Sequence, residues 1–199
     1  MEVYLETERL ILRRFTTDDV DNLVELDSDP QVMRYINGGR PTTHEEIAEK
    51  FLPRVREHYD RGLGAWAAIE KSTGDFIGWF GLHPNDDRPP DELELGYRIR
   101  RTSWRKGYAT EGSRALVDKA FSELGANAVW AQTMTVNTAS RRVMEKAGLQ
   151  YVRTFHLEWP EEIDGTTEGD VEYAVTRDEW ERTRPRELLD SGLDKRRRT

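Results

Sequence analysis

The alternation of apolar and polar residues divides the chain into short strands and longer helices. Seven segments are continuously apolar or alternate apolar with polar residues, which is the pattern of strands in a sheet. These segments are 10–15, 65–70, 76–82, 93–99, 129–135, 151–155 and 171–175. Because only the short, glycine-containing link 72–75 separates the second segment from the third, these two are predicted to form a β-hairpin.

Five other segments place apolar residues three and four positions apart, as amphipathic helices do. The first begins after Asp19 and has Val20, Leu23 and Val24 on one face. The others are 30–36, 43–61, 107–124 and 137–147. Pro53 is predicted to kink or split the third helix, because proline has no amide hydrogen and clashes with the preceding turn. Helices and strands in this order predict a mixed α/β or α+β domain on one central sheet.

The chain has the size and composition of a single folded domain. It has 199 residues, of which 36% are hydrophobic, enough for one core. We see no internal repeat and no linker, and we predict one domain over residues 1–183. The segment 184–199 is polar and ends in a basic cluster, so we predict that it is a flexible tail.

Charge and composition disfavour several classes of function. The formal net charge of −8 argues against a general nucleic-acid binder, which needs a basic face, and fits a cationic or amine-bearing partner better. The chain has no cysteine, so disulfides, thiolate metal sites and a cysteine nucleophile are absent, and we predict no metal site. The N-terminus lacks the pattern of a signal peptide, and no run reaches the roughly 18 apolar residues of a membrane span. We expect a soluble, cytoplasmic protein.

The stretch WRKGYATE, residues 104–111, joins a strand to a long helix and has the features of an anion site. The first N–H groups of a helix have no internal acceptor, and the helix dipole makes this end positive. Gly107 allows a ligand to approach the backbone, Ala109 keeps the next position small, and Arg105 and Lys106 add positive charge. The alternative is an ordinary helix start with solvated cations, and this stretch alone does not decide between the two.

Two motifs in order make the chain resemble a known family. The segments ELGYRI and WRKGYATEG are followed by TVNTASRRVMEKAGL, and the set resembles the GCN5-related N-acetyltransferase (GNAT) superfamily. The resemblance is strongest to its RimJ/RimL branch, the ribosomal-protein-alanine acetyltransferases. It also includes ETERLILRRFTTDD, IGWFGL and VEYAVTRDEW, and so extends over about residues 5–180.

The resemblance implies a fold and a cofactor. The GNAT fold is a strongly twisted mixed sheet of about seven strands with flanking helices, in which the fourth and fifth strands are parallel and splay apart. Acetyl-CoA, or another acyl-CoA, would lie in the gap between them. Trp104 stands where the superfamily usually has Gln or Arg, and Arg105 stands where Gly is frequent, which leaves open how closely the backbone at Arg105 meets a phosphate.

The same resemblance assigns cofactor-binding residues one by one. Backbone N–H groups of the 104–109 loop would face the pyrophosphate, the backbone at Ile99 and Arg101 would pair with the pantetheine arm, and Arg142 would contact the nucleotide. Asn137 would contact the pantetheine or the acetyl end, and Ser140 would lie at the thiolate end and protonate it. The loop residues concerned are Arg105, Lys106, Gly107, Tyr108 and Ala109.

Transfer of an acetyl group to an amine needs a neutral amine and a group that takes its proton. Glu94, on the fourth predicted strand, is our first candidate for this base, with Glu92 and His83 as reserves. Each has an ordinary alternative as a surface residue of a strand. Ser140 is equally a helix-capping hydroxyl, and Tyr97 or Tyr108 are alternative proton donors. The absence of cysteine favours direct transfer in a ternary complex.

Several functions fit these residues. The leading hypothesis is an acyl-CoA-dependent N-acyltransferase acting on a primary amine of a protein N-terminus or of a small molecule. The alternatives are an antibiotic or metabolite amine acetyltransferase on the same fold, and a noncatalytic acyl-CoA-binding protein. Exposed strand edges would also allow a homodimer. We predict no nucleic-acid and no membrane partner.

Overall fold

The protein is built around one eight-stranded sheet. The computed structural model describes residues 2–159 and 163–183, so the predicted flexible tail 184–199 lies outside the described residues. The strands lie side by side in the order β1-β2-β3-β4-β5-β6-β8-β7. Their bounds are β1 Val3–Glu6, β2 Leu10–Arg13, β3 Gly64–Glu70, β4 Phe76–His83, β5 Glu92–Ile99, β6 Ala128–Met134, β7 Gln150–Phe155 and β8 Asp170–Thr176.

All seven predicted strands are present, and β1 is an addition that the apolar pattern missed. This strand has four residues and lies at one edge of the sheet, antiparallel to β2. Its length of four residues is too short for a clear periodic pattern, and none of these residues is fully buried. The predicted hairpin is confirmed as the antiparallel pair of β3 and β4.

Strands β5 and β6 are paired for only a short distance. They are parallel, and their register joins Glu92 to Ala128, Leu93 to Val129 and Glu94 to Trp130. Beyond these three pairs, β5 continues to Ile99 and β6 to Met134 without pairing to each other. This confirms the predicted splayed pair, which counts as the fifth and sixth strands once β1 is included. The two facing edges are left open.

Six α-helices flank the sheet within the part of the chain that the structure describes. Short 3₁₀ turns at Thr17–Asp19, Tyr59–Arg61 and Arg101–Ser103 connect several elements. Helix α6 follows the last strand and was not predicted from the sequence. The helices are α1 Val20–Ser28, α2 Pro30–Asn37, α3 Leu52–Arg56, α4 Tyr108–Ser122, α5 Thr138–Lys146 and α6 Arg177–Thr183. None of the described helices is long and apolar enough to cross a membrane.

The third predicted helix is not split at Pro53 but changes its type just before it. The chain is π-helical over Glu46–Phe51 and α-helical in α3, with Pro53 in the first turn of α3. Because proline has no N–H to donate, the first turn of a helix accepts it without losing a hydrogen bond. The α-helix then ends at Arg56, five residues before the predicted end at Arg61.

The two faces of the sheet are covered by different helices. Helices α4 and α5 pack on one face, where the buried side chains include Phe80, Leu95, Leu116 and Met144. Helices α1 and α3 pack on the other face, against the alanines of β3. Since successive side chains of a strand point to opposite faces, neighbouring residues of β4 and β5 serve different sides of the sheet.

Helix α4 lies unusually close to the sheet at Gly112. A Cβ atom at this position would overlap the ring of Phe80, which is fully buried on β4. Glycine therefore sets how near α4 comes to the strands. Because the first turn of α4 follows the loop 104–107, this contact also fixes the depth of that loop relative to β5.

We predict that Gly112→Ala destabilises the protein although alanine is the better helix former. Overpacking a core costs about 1–3 kcal/mol, which exceeds the ~1 kcal/mol that alanine gains over glycine in a helix. The free energy of unfolding, measured in urea, should fall by about 1–2 kcal/mol. In a Phe80→Leu background, where the ring is gone, the same substitution should cost less. An unchanged or higher stability of Gly112→Ala alone would contradict the close packing.

Candidate active site

The open edge of β5 offers backbone groups to a ligand. The N–H of Arg100 donates to the carbonyl of Ile77 on β4, at 2.8 Å. Backbone groups of successive residues in a strand point to alternate edges, so those of Tyr97 and Ile99 face the gap beyond the last pair with β6. Because β6 has diverged from β5 after Glu94, these groups have no neighbouring strand. An extended ligand with amide groups can pair with this edge.

Two of the predicted backbone contacts lie at the outer end of this edge. The carbonyl of Ile99 accepts a hydrogen bond from the indole N–H of Trp104 at 2.7 Å. Arg101 begins a 3₁₀ turn, and its carbonyl accepts the backbone N–H of Trp104 at 3.1 Å. Trp104 thus holds the end of β5 to the following loop. At Ile99 the N–H is the group left facing the gap.

The loop before α4 has the backbone shape of an anion site. Arg105 and Gly107 both have left-handed conformations, with φ of 60° and 88°. Such alternation turns successive N–H groups toward one point. Among the described residues we find no protein acceptor for the N–H groups of Arg105, Lys106 and Gly107, and Tyr108 and Ala109 supply the first N–H groups of the helix. The unused donors fit the diphosphate of a coenzyme A molecule.

A contact that the sequence did not predict holds this loop from behind. Arg9, between β1 and β2, donates from its guanidinium to the carbonyl of Lys106 at 2.9 Å. The same guanidinium forms an ion pair with Glu111 in the first turn of α4, at 2.6 Å. The motifs around both residues are visible in the sequence, but no pattern joins positions 102 residues apart.

Asn137 begins α5 as its N-cap. Its side-chain oxygen accepts the N–H of Ser140 at 3.2 Å, and its amide nitrogen donates to Thr133 at 3.0 Å. This cap satisfies one of the free N–H groups of the helix and fixes the position of Ser140. Thr133 lies on β6, so Asn137 also ties the helix start to the second arm of the gap.

Ser140 and Tyr97 meet across the gap. The hydroxyl oxygens of the two residues are 2.8 Å apart, and the phenol of Tyr97 also lies 3.1 Å from the carbonyl oxygen of Ser140. Burial raises the pKa of Tyr97, although its hydrogen bond to Ser140 counters this, so its hydroxyl stays protonated at neutral pH. The structure therefore brings a strand residue and a helix residue together at the inner part of the gap.

Arg142 lies on the exposed side of α5, away from this contact. Its neighbour Arg141 instead points inward, donating to the hydroxyl of Tyr173 at 3.1 Å and to the carbonyl of Thr135 at 3.0 Å. Arg141 fastens α5 to β6 and β8. Arg142 is the one of the two whose guanidinium is available to a ligand from solvent.

Glu94 lies on the face of the sheet that is covered by α1 and α3. It is the last β5 residue paired with β6, and its partner on β4 is His83. Burial raises the pKa of Glu94 above its ordinary value, while the nearby Arg88 opposes the shift. A carboxylate with a raised pKa is a stronger base than an exposed one, so the geometry suits proton acceptance.

The two reserve bases have less suitable surroundings. Burial, together with the charges of Arg54 and His58, lowers the pKa of His83 to about 4, so this imidazole is neutral and weakly basic. Glu92 forms an ion pair with Arg88 at 3.6 Å, so its carboxylate already has a partner within the protein. Arg88 also binds Glu172 at 2.7 Å and lies over the ring of Trp130.

Ion pairs fix the helical wall beside the gap. Arg98 of β5 binds Asp27 of α1 at 2.5 Å, and both side chains are largely buried. Arg100 binds Glu25 at 2.7 Å, and Arg101 binds Asp29 at 2.6 Å. These three arginines lie at or just after the end of β5, and their ion pairs hold α1 and the start of α2 in place. No cluster of metal-ligating side chains is found in residues 2–159 and 163–183.

Comparison with known proteins identifies relatives of the whole domain. The family model described as Acetyltransferase (GNAT) domain matches residues 9–150. The FsC-acetyl coenzyme A-N(2)-transacetylase of Aspergillus fumigatus is 37% identical over 184 residues, covering 88% of this chain and 77% of that protein.

Two solved structures share the fold. A GNAT-family acetyltransferase from Bacillus anthracis has a TM-score of 0.69 at 26% identity, over 89% of this chain and 99% of that one. RimL, a ribosomal L7/L12 alpha-N-protein acetyltransferase solved with coenzyme A, has a TM-score of 0.71 at 17% identity. That match covers 88% of this chain and 98% of RimL, and at this identity it supports the fold alone.

We predict that Gly107→Ala lowers the stability of the protein, because residue 107 has a left-handed backbone conformation. A residue with a Cβ atom costs about 1–2 kcal/mol in this conformation, and here the atom would also lie 3.3 Å from the guanidinium of Arg9. Gly107→Asn is the matched variant, because asparagine tolerates left-handed φ better. Thermal unfolding should show a smaller loss for asparagine than for alanine. Equal losses would mean that backbone strain does not control this position.

Proposed function

The chain belongs to the GNAT acetyltransferase family, and from this we propose that the gap between β5 and β6 is the place where it transfers an acetyl group from acetyl-CoA to a primary amine. The chain is an N-acetyltransferase, and acetyl-CoA is its acyl donor. The observation that carries the proposed site is the early separation of β5 from β6, which opens a strand edge between two helix starts. Glu94 lies at the closed end of this opening.

The cofactor would be held mainly by backbone. The N–H groups of Arg105, Lys106 and Gly107, with those of Tyr108 and Ala109, would bind the diphosphate. The open edge of β5 at Tyr97 and Ile99 would pair with the amides of the pantetheine arm. Arg101 and Arg142 flank the outer end, where the nucleotide would lie. Acetyl-CoA supplies the acetyl group as a thioester, which is activated toward amines.

Glu94 would take the proton from the attacking amine. Its carboxylate lies on the α1 side of the sheet, at the last pair before the strands separate. An amine entering from this side would meet the carboxylate, while the cofactor edge of β5 lies beside it in the gap. Since a protonated amine is not a nucleophile, a base at this point keeps the reactive form available.

Ser140 and Tyr97 would serve the sulfur end of the site. Tyr97 has one hydroxyl proton, and when it donates this proton to the hydroxyl oxygen of Ser140, the Ser140 hydroxyl is free to donate its own proton into the gap. Asn137 fixes this serine by capping its backbone N–H. The gap-facing N–H groups of β5 are donors for negative charge that develops on a carbonyl oxygen.

The acceptor that we propose first is an amine of a small molecule, with a protein N-terminus as the second candidate. The Aspergillus fumigatus relative is named for transfer to an N(2) nitrogen, and it is the more similar of the two named acyltransferases. The α-amine of a protein N-terminus, the second candidate, has a pKa of about 7.7–8.0, against about 10.4 for a lysine side chain. It is therefore more often neutral near pH 7, which suits a single carboxylate base. The predictions of cytoplasmic location and of a homodimer stay open.

An acceptor screen tests this function. The protein is mixed with acetyl-CoA and, in separate wells, with amino acids, aminoglycosides and peptides with free N-termini, and thiol release is followed. We expect turnover with small α-amines at a kcat/KM at least about tenfold above that for peptides. Peptides turned over faster would move the acceptor to proteins. Coenzyme A binding without turnover on any amine would contradict the transferase itself.

We predict that Glu94→Gln lowers kcat and changes the pH profile. Glu94 is active when deprotonated, and its raised pKa means that activity falls as pH drops through that value. In the wild type, the plot of log kcat/KM against pH should therefore show two bends as pH falls, one where the amine is protonated and one where Glu94 is protonated. The variant should show only the bend of the amine and a kcat lower by about 10²–10⁴-fold.

The stability of the same variant separates chemistry from folding. A buried carboxyl with a raised pKa is unfavourable when charged, so its stabilising contribution is lost as pH rises above the unfolded value. Glu94→Gln should then be no less stable than the wild type at pH 7. A large loss of stability, or a wild-type pH profile, would remove Glu94 as the base.

A further inference from the structure

We infer that Arg9 is a positioning residue for the diphosphate-binding loop, acting through a clamp with Glu111. The inference rests on the proposed function, because it names what holds the loop that we assign to the diphosphate. Arg9 belongs to the link between β1 and β2, far from the loop in sequence. The observations are the contacts of its guanidinium and of its backbone, all of which lie on one side of the loop.

Every nitrogen of the Arg9 side chain contacts the start of α4 or the loop before it. Its Nε donates to Glu111 at 2.6 Å, one terminal nitrogen pairs with Glu111 at 2.6 Å, and the other donates to the carbonyl of Lys106 at 2.9 Å. The guanidinium also lies 4.5 Å from the ring centre of Tyr108. A planar guanidinium, whose N–H groups point in fixed directions, is required to reach all of these groups together.

Glu111 is held as firmly as Arg9. Its other oxygen accepts the backbone N–H of Arg9 at 2.8 Å and the hydroxyl of Thr7 at 2.6 Å. Burial alone would raise the pKa of Glu111, but the hydrogen bonds from Thr7 and Arg9 keep it below its ordinary value. The backbone N–H of Glu111 donates to the carbonyl of Gly107 at 3.0 Å, the first hydrogen bond of α4. One residue thus links the clamp to the helix start.

The contact with Lys106 orients the next N–H group. A trans peptide is planar, so the carbonyl of Lys106 and the N–H of Gly107 point in opposite directions. Arg9 binds this carbonyl, and the N–H of Gly107 is therefore directed away from Arg9. Gly107 also leaves the space that Arg9 needs, because a Cβ there would lie 3.3 Å from its guanidinium. The clamp sets the direction of a donor that the diphosphate would use.

The charge of Arg9 does not explain this arrangement by itself. The carboxylate of Glu111 neutralises the guanidinium at 2.6 Å, and each of the three guanidinium nitrogens already contacts Glu111 or Lys106. Attraction of a phosphate by a free cation is better served by Lys106 or Arg105, which are exposed in the loop. Tyr108 adds a further tie, donating its hydroxyl to Glu70 of β3 at 2.5 Å. The clamp therefore supports the loop from behind through contacts within the protein.

Arg14 provides a matched control. Its side chain is 42% exposed, as is that of Arg9, and it pairs with Glu2 at 3.0 Å. It also lies over a tyrosine ring, that of Tyr59, at 5.2 Å. The two arginines share exposure, an ion pair and an aromatic contact, and only Arg9 contacts the loop.

The experiment compares Arg9→Gln, Arg9→Lys and Arg14→Gln. Titration calorimetry measures the dissociation constant of coenzyme A, and kinetics compare acetyl-CoA with acetyl-pantetheine, a thioester without the diphosphate. Losing charge-assisted hydrogen bonds should weaken coenzyme A binding about tenfold in both Arg9 variants, and raise KM for acetyl-CoA with little change in kcat. The kcat/KM for acetyl-pantetheine should stay within about twofold, as should coenzyme A binding by Arg14→Gln.

The outcomes distinguish the clamp from other roles. Recovery of binding by Arg9→Lys would show that charge alone is needed, and would overturn the positioning role. Equal losses for both thioesters would mean general damage to the site, and would overturn it as well. If the wild type binds coenzyme A and Arg9→Gln binds it equally well, only the clamp fails. If the wild type does not bind coenzyme A, the proposed function fails together with the clamp.

Discussion

The arrangement of the candidate site depends on one constraint, the separation of β5 from β6 after three paired residues. A sheet normally satisfies the backbone groups of an inner strand on both sides. Here the sheet continues past the gap through β6, β8 and β7, yet half of β5 has no partner on that side. An opening inside the sheet leaves polar backbone groups that a ligand can satisfy. It also places the starts of α4 and α5 on either side of the same gap.

Such an opening needs supports, because beyond the third pair β5 is held only by β4 and β6 only by β8. The end of β5 is fixed by Trp104 and by the ion pairs of Arg98, Arg100 and Arg101 with α1 and its surroundings. The second arm is fixed by Arg141 and by the cap of Asn137 on Thr133. Surface ion pairs contribute little stability individually. The largely buried pair of Arg98 and Asp27 is different, since removing one partner leaves an uncompensated charge.

The sequence predicted the strands and helices better than the side-chain contacts between them. Periodicity predicted seven strands, and the proline rule predicted a change in the helix at Pro53, because burial and proline geometry act locally. Resemblance to a family supplied the splayed strands and the cofactor loop. Neither predicted that Arg9 reaches Glu111, or that Tyr97 reaches Ser140, since these contacts join positions far apart in the chain. Strand β1 was missed because it has only four residues, too few for a periodic pattern to stand out.

The side of the site that we propose for acetyl-CoA and the side that we propose for the acceptor amine are built from different parts of the chain. This explains why membership of the family identifies the acyl donor more readily than the acceptor. Most of the donor side consists of backbone groups of the loop and of β5, which many side chains can accompany. In the proposed site the acceptor side consists of side chains, with Glu94 and His83 on the sheet and α1 and α3 on the same face. A single substitution there changes shape and charge directly. Because a fold does not fix the acceptor, we expect acceptor choice to follow the side chains of this face.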